Sequence, residues 1–116
     1  MSATRRLFDL DGRTALITGG SRGLGLQMAE ALGDYGARVV ISARKSDELE
    51  KAQAHLKARG IDADWVAADT GKDDSIASLV DAALDKLGHV DILINNAGAS
   101  WGAAAEDYPL EAWDKV

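Results

Sequence analysis

Thr18-Gly19-Gly20-Ser21-Arg22-Gly23-Leu24-Gly25 sets three glycines at the spacing Gly-x-x-x-Gly-x-Gly behind a threonine. Such a loop gathers backbone N–H groups around an anion. Gly19 lets the chain turn sharply, Gly23 lets backbone come close to a phosphate, and Gly25 lets a following helix pack against the preceding strand. Ser21, Arg22 and Leu24 complete the set of loop residues expected to meet a ligand, and Arg22 adds a guanidinium. The ligand such a loop fits is the pyrophosphate of a dinucleotide. A glycine triplet alone also describes an ordinary turn, so the flanking elements decide the matter.

Those elements are present. Thr14-Ala15-Leu16-Ile17 precedes the loop as a short apolar strand pattern. A helical pattern follows, carrying Leu24, Met28, Leu32 and Tyr35, and Gly36 ends it. Strand, glycine loop and helix in that order aim a helix N-terminus at a bound phosphate.

The same alternation runs on along the chain. Strand-like segments are expected at Thr14–Thr18, Arg38–Ser42, Ala63–Ala67 and Asp91–Ile94, with Val39-Val40-Ile41 the clearest buried run. Helices are expected at Leu24–Tyr35, from about Asp47 to Arg59, and from about Asp74 to Leu87. The second turns Leu49, Ala52 and Leu56 inward; the third turns Ile76, Leu79, Val80, Ala83, Leu84 and Leu87 inward. Gly60 and Gly88 stop them. A further helix is expected from Pro109, with Leu110, Trp113 and Val116 at apolar spacing. Alternation of this kind implies an α/β fold: a Rossmann-like, doubly wound parallel sheet, strand order 3-2-1-4, in one domain over residues 1–116.

Ligands of such sheets bind at the carboxyl ends of the strands, where the strand order reverses. That point lies between the first and fourth strands. Asn95-Asn96-Ala97-Gly98 directly follows the fourth strand, so it should meet the glycine loop there. With both motifs in place the chain resembles the short-chain dehydrogenase/reductase family, of the type carrying Thr-Gly-x-x-x-Gly-x-Gly and Asn-Asn-Ala-Gly. The resemblance runs from about Leu10 to Val116.

It implies an oxidoreductase that moves a hydride between a nicotinamide cofactor and a small carbonyl or alcohol substrate. It also implies that Asp69 meets the adenine amino group with Thr70 beside it. Asn95 and Asn96 would bond to neighbouring strands and shape the cofactor floor, while Ala97 and Gly98 leave room beside ribose and phosphates. The family's working residues are a serine, a Tyr-x-x-x-Lys pair and a helix asparagine. Here Tyr35 is followed four residues on by Val39, and Tyr108 by Ala112, so no catalytic residue is assigned. The chain is expected to be the cofactor-binding, N-terminal portion of a longer enzyme, itself a homo-oligomer. Around Ser100-Trp101-Gly102-Ala103-Ala104 and Tyr108-Pro109 it is similar to 3-oxoacyl reductases, including the type tied to rhamnolipid synthesis. Leu7-Phe8-Asp9-Leu10 and Gly12-Arg13-Thr14 are as similar to gluconate 5-dehydrogenases.

Charge selects the cofactor. An acid at the end of the second strand would bind the ribose hydroxyls of NAD and repel a 2′-phosphate. The chain instead reads Ser42-Ala43-Arg44 there. Arg44 and Arg22 converging on one point suit a phosphate dianion, which favours NADP over NAD.

Composition narrows the rest. Residues 1–60 hold ten Lys/Arg against seven Asp/Glu, whereas residues 61–116 hold three against twelve. Most of the acids, such as Asp73, Asp74, Asp81 and Asp85, read as a solvated helix face. No basic stripe with interleaved aromatics points to nucleic acid. Cysteine is absent, and no apolar run approaches the ~20 residues that span a bilayer. A cytoplasmic setting without membrane contact is therefore expected. His55 and His89 lack metal-ligand spacing, so no metal site is expected. Trp101 suits either a substrate-pocket wall or loop packing.

Overall fold

Five residues, Thr14–Thr18, form β1, and all five are buried. A strand buried on both faces needs parallel neighbours and helices above and below it. The computed structural model, which describes residues 9–69 and 73–96, provides them. β2 is Arg38–Ala43, β3 is Ala63–Ala67 and β4 is Ile92–Asn95. The helices are α1 (Gly23–Asp34), α2 (Ser46–Ala58) and α3 (Asp73–Leu87). All strand pairs are parallel, in the order β3-β2-β1-β4.

Alternation along the strands builds two cores. Ala15 and Ile17 of β1 and Val39 and Ile41 of β2 face one side, against Ala29 of α1 and Leu49, Ala52 and Leu56 of α2. Leu16 and Val40 face the other, against Leu79, Ala83 and Leu87 of α3. Ile17 and Ile41 are fully buried; truncating either to alanine costs about 2–5 kcal/mol.

The packing of α1 follows the role expected of Gly25, whereas the face of α3 is narrower than expected. In α1 the buried positions are Gly25 and Ala29, while Leu24 is 59% exposed at the helix start. Small residues bring this helix against its neighbours. A Cβ at Gly25 would strike the Gly19 carbonyl, and one at Gly33 would strike Ile61. In α3, Leu79, Ala83 and Leu87 are buried as expected, but Ile76, Val80 and Leu84 are exposed. The helix lies over β2 and β3, so a single stripe is enough to cover Leu16, Val40 and Val66. Among the described residues β4 is an edge strand, and its Leu93 is 64% exposed.

Threonines stand at both ends of β1, and each ties the chain around β4. At the start, the Thr14 hydroxyl donates to the His89 carbonyl (2.6 Å), and the Thr14 N–H donates to Asp91 Oδ2 (3.0 Å). His89 Nε2 lies 3.0 Å from the same carboxylate oxygen. The Thr14 N–H, with His89 and Arg13 nearby, holds the Asp91 carboxyl below the ordinary carboxylate range. Thr18 makes the corresponding tie at the other end.

Candidate functional site

The carboxyl ends of β1 and β4 meet where the strand order reverses, since β1 pairs with both β2 and β4. The glycine loop leaves β1 at this point. Its backbone is fastened to β2: the N–H groups of Gly19 (2.7 Å) and Gly20 (3.2 Å) both donate to the Ser42 carbonyl. Gly20 is tightly packed against β2, which the spacing motif does not reveal. A Cβ there would stand 2.7 Å from Ile41 Cγ2.

Gly19 and Gly23 have φ of +67° and +59°, a region that side-chain-bearing residues avoid. A Cβ on Gly23 would meet nothing within 4 Å, so that glycine faces open space. Gly25 is the opposite case, in contact with Gly19 and 2.9 Å from Asn96 Nδ2 when given a Cβ. The loop thus has one open glycine and one closed one, as a phosphate cradle with a tightly packed helix requires.

α1 begins at this loop without an acid in its first turn, and its N-cap residue, Arg22, makes no side-chain capping bond. The first N–H groups of a helix have no intrahelical partner. They carry partial positive charge suited to an anion. α2 contrasts with it, having Asp47 and Glu48 in its first turn.

Asn96 closes the far side of the loop. Its N–H donates to Thr18 Oγ1 (3.0 Å), and its side-chain amide donates to the Gly19 carbonyl (3.4 Å). Thr18 Oγ1 in turn donates to Asn95 Oδ1 (3.0 Å). Asn95 and Asn96, which the family resemblance expects to bond to neighbouring strands, bond to the last residue of β1 and the first of the loop. Thr18 carries no expected role, and these partners lie 77 and 78 residues away in sequence.

The other expected site residues fall as follows. Ser21 is half-buried in the turn, and Arg22, Leu24 and Arg44 are exposed. Arg22 Nη1 approaches Glu48 Oε1 at 3.9 Å, which brings the loop guanidinium to the first turn of α2, just past Arg44. Asp69 is half-buried two residues beyond β3. Thr70, Ala97, Gly98, Trp101 and the helix expected from Pro109 lie outside the described residues.

Ser42 is 1% exposed, and its hydroxyl has no hydrogen-bond partner among the described residues. The end of β2 exposes a cation, Arg44, with no acid at positions 42 to 44.

The sequence profile of the short chain dehydrogenases matches residues 13–116. The chain belongs to the short-chain dehydrogenase family. This family member is 44% identical over 109 residues to the rhamnolipids biosynthesis 3-oxoacyl-[acyl-carrier-protein] reductase of Pseudomonas aeruginosa, covering 94% of this chain and 42% of the relative. It is 41% identical over 110 residues to gluconate 5-dehydrogenase of Gluconobacter oxydans, covering 95% and 43%. A solved NADP active-site complex of Pseudomonas aeruginosa RhlG superposes with a TM-score of 0.82 at 44% identity, covering 94% of this chain and 42% of that one. The chain thus spans under half the length of these relatives. The fold read from the alternation of strands and helices and the family read from the two motifs are confirmed, including the likeness to both kinds of reductase and dehydrogenase.

Proposed function

We propose that this chain forms the NADP(H)-binding portion of a short-chain reductase, and that the whole protein reduces a carbonyl such as a 3-oxoacyl thioester. The observation that carries the cofactor assignment is Arg22 reaching Glu48 in the first turn of α2, four residues past Arg44 in sequence, near a β2 end without an acid. A 2′-phosphate bound there would have two guanidiniums and no carboxylate at positions 42 to 44, while Glu48 pairs with Arg22.

Ser21, Gly23 and the first N–H groups of α1 would hold the pyrophosphate, with Gly19 and Gly25 setting the loop's shape. Asp69 and Thr70 would flank the adenine; Asn96, Ala97 and Gly98 would border the ribose. Leu24, exposed at the mouth of the loop, offers an apolar contact. The cofactor supplies a hydride for a carbonyl carbon. This chain's own part is to bind and orient it, because the Tyr-x-x-x-Lys pair that the family uses for proton transfer does not occur among its 116 residues. A cytoplasmic homo-oligomer remains the expected setting.

A sugar-acid substrate is the second reading, supported by the 41% identity to gluconate 5-dehydrogenase. The deciding experiment gives the full-length protein NADPH with a 3-oxoacyl thioester or 5-ketogluconate, and NADP with gluconate. NADPH-dependent turnover of the thioester alone supports the first reading, and turnover of the sugar acid alone supports the second. Cofactor binding with neither activity would favour a non-catalytic dinucleotide-binding module.

A further inference from the structure

We propose that Glu48 competes with the cofactor's 2′-phosphate for the Arg22 guanidinium, and so limits how strongly the protein discriminates NADPH from NADH. The proposal deepens the NADP reading above and rests on it.

The argument begins with where the charges stand. Arg22 occupies the N-cap of α1, and its side chain is 84% exposed. Its one ion pair among the described residues is with Glu48, at 3.9 Å. Glu48 is less free, with its side chain 32% exposed in the first turn of α2. Arg44, at the end of β2, makes no ion pair among the described residues, so a phosphate can take its guanidinium without displacing an acid. Arg22 is different. A phosphate that takes it must draw it from Glu48, and the carboxylate then stands next to a dianion.

An exposed pair at this separation is weak and easily broken. That suits a residue that tunes binding and does not block it. NADH carries no 2′-phosphate and asks nothing of Arg22 at this point. Removing the Glu48 charge should therefore act on one cofactor only. The effect should also be screened by salt, because both groups face solvent.

The test titrates NADPH and NADH into the full-length protein and into its Glu48→Gln, Glu50→Gln and Arg44→Ala variants, following cofactor fluorescence at low and high salt. Glu50 is exposed on the same helix and serves as a control for the loss of any one negative charge. Glu48→Gln should tighten NADPH by about three- to tenfold at low salt and leave NADH within about twofold. The gain should shrink at high salt, and Glu50→Gln should leave the NADPH/NADH ratio unchanged. If Arg44→Ala weakens NADPH selectively but Glu48→Gln leaves it unchanged or weakens it, the proposal is overturned and the NADP reading stands. If Arg44→Ala weakens both cofactors equally, the NADP reading falls and the role given to Glu48 falls with it.

Discussion

Thr18 Oγ1 accepts the backbone N–H of Asn96 at 3.0 Å, joining the last residue of β1 to the chain just past β4. The same oxygen donates its proton to Asn95 Oδ1. One hydroxyl therefore fixes both asparagines at the strand end from which the glycine loop departs.

Thr18→Val keeps the shape and removes the hydroxyl. It leaves the part-buried Asn96 N–H and the Asn95 amide oxygen short of a protein partner. We expect a stability loss of about 1–3 kcal/mol in denaturant unfolding, with weaker cofactor binding. Thr18→Ser should recover most of both. An unaltered unfolding midpoint in the valine variant would show that the latch carries no energy.

Alanine at the two loop glycines should give opposite phenotypes. Gly25→Ala drives a methyl into the Gly19 carbonyl, so stability should fall by about 1–3 kcal/mol or more. Gly23→Ala meets open space and costs about 1–2 kcal/mol for its left-handed backbone, yet places a methyl where the pyrophosphate is expected. Cofactor titration beside thermal melts separates them: Gly25→Ala should be mainly a folding defect and Gly23→Ala mainly a binding defect. Full NADPH affinity in Gly23→Ala would remove that glycine from the cradle.

Arg44→Ala deletes one charged partner proposed for the 2′-phosphate. A hydrogen bond of that kind is worth about 1.5–3 kcal/mol, on the order of 10–100-fold in affinity. NADPH should weaken by that factor while NADH scarcely moves. Paired isothermal titrations with the two cofactors measure the difference directly.

Acid should loosen the other end of β1. The Asp91 carboxyl is held below its ordinary range, first by the Thr14 N–H and then by His89 and Arg13. A depressed folded-state pKa means that the carboxylate's contribution is complete above the unfolded value. It is lost as pH falls through the folded one. Asp91→Asn should therefore flatten the decline in stability below about pH 4. Parallel acid limbs in wild type and variant, by circular dichroism, would contradict this.

Much of the framework was readable from local pattern. The run Val39-Val40-Ile41 announced a buried parallel strand. β4 was expected at Asp91–Ile94 and lies at Ile92–Asn95, a shift of one residue. Gly25 is expected from the motif to bring α1 close to β1, and it does; the similar role of Gly33 against Ile61 carries no hydrophobic signal. Periodicity registers large apolar side chains such as Leu24, and here close approach is made by having none. The face of α3 was drawn too wide because apolar spacing cannot tell which edge of a stripe the sheet reaches. The threonine ties and the Arg22–Glu48 pair were invisible for a different reason: each joins residues distant in sequence that only the fold brings together.

The Ser42 carbonyl, which receives both the Gly19 and Gly20 N–H groups, has an evolutionary consequence. It is a main-chain acceptor, so exchanging the side chain at position 42 does not remove it. On the proposed reading, the neighbouring side chains at 43 and 44 would meet the ribose end of the cofactor. Descendants of such a scaffold are free to trade an arginine for an acid there, and so to change redox pools, while the cradle for the pyrophosphate stays where it is.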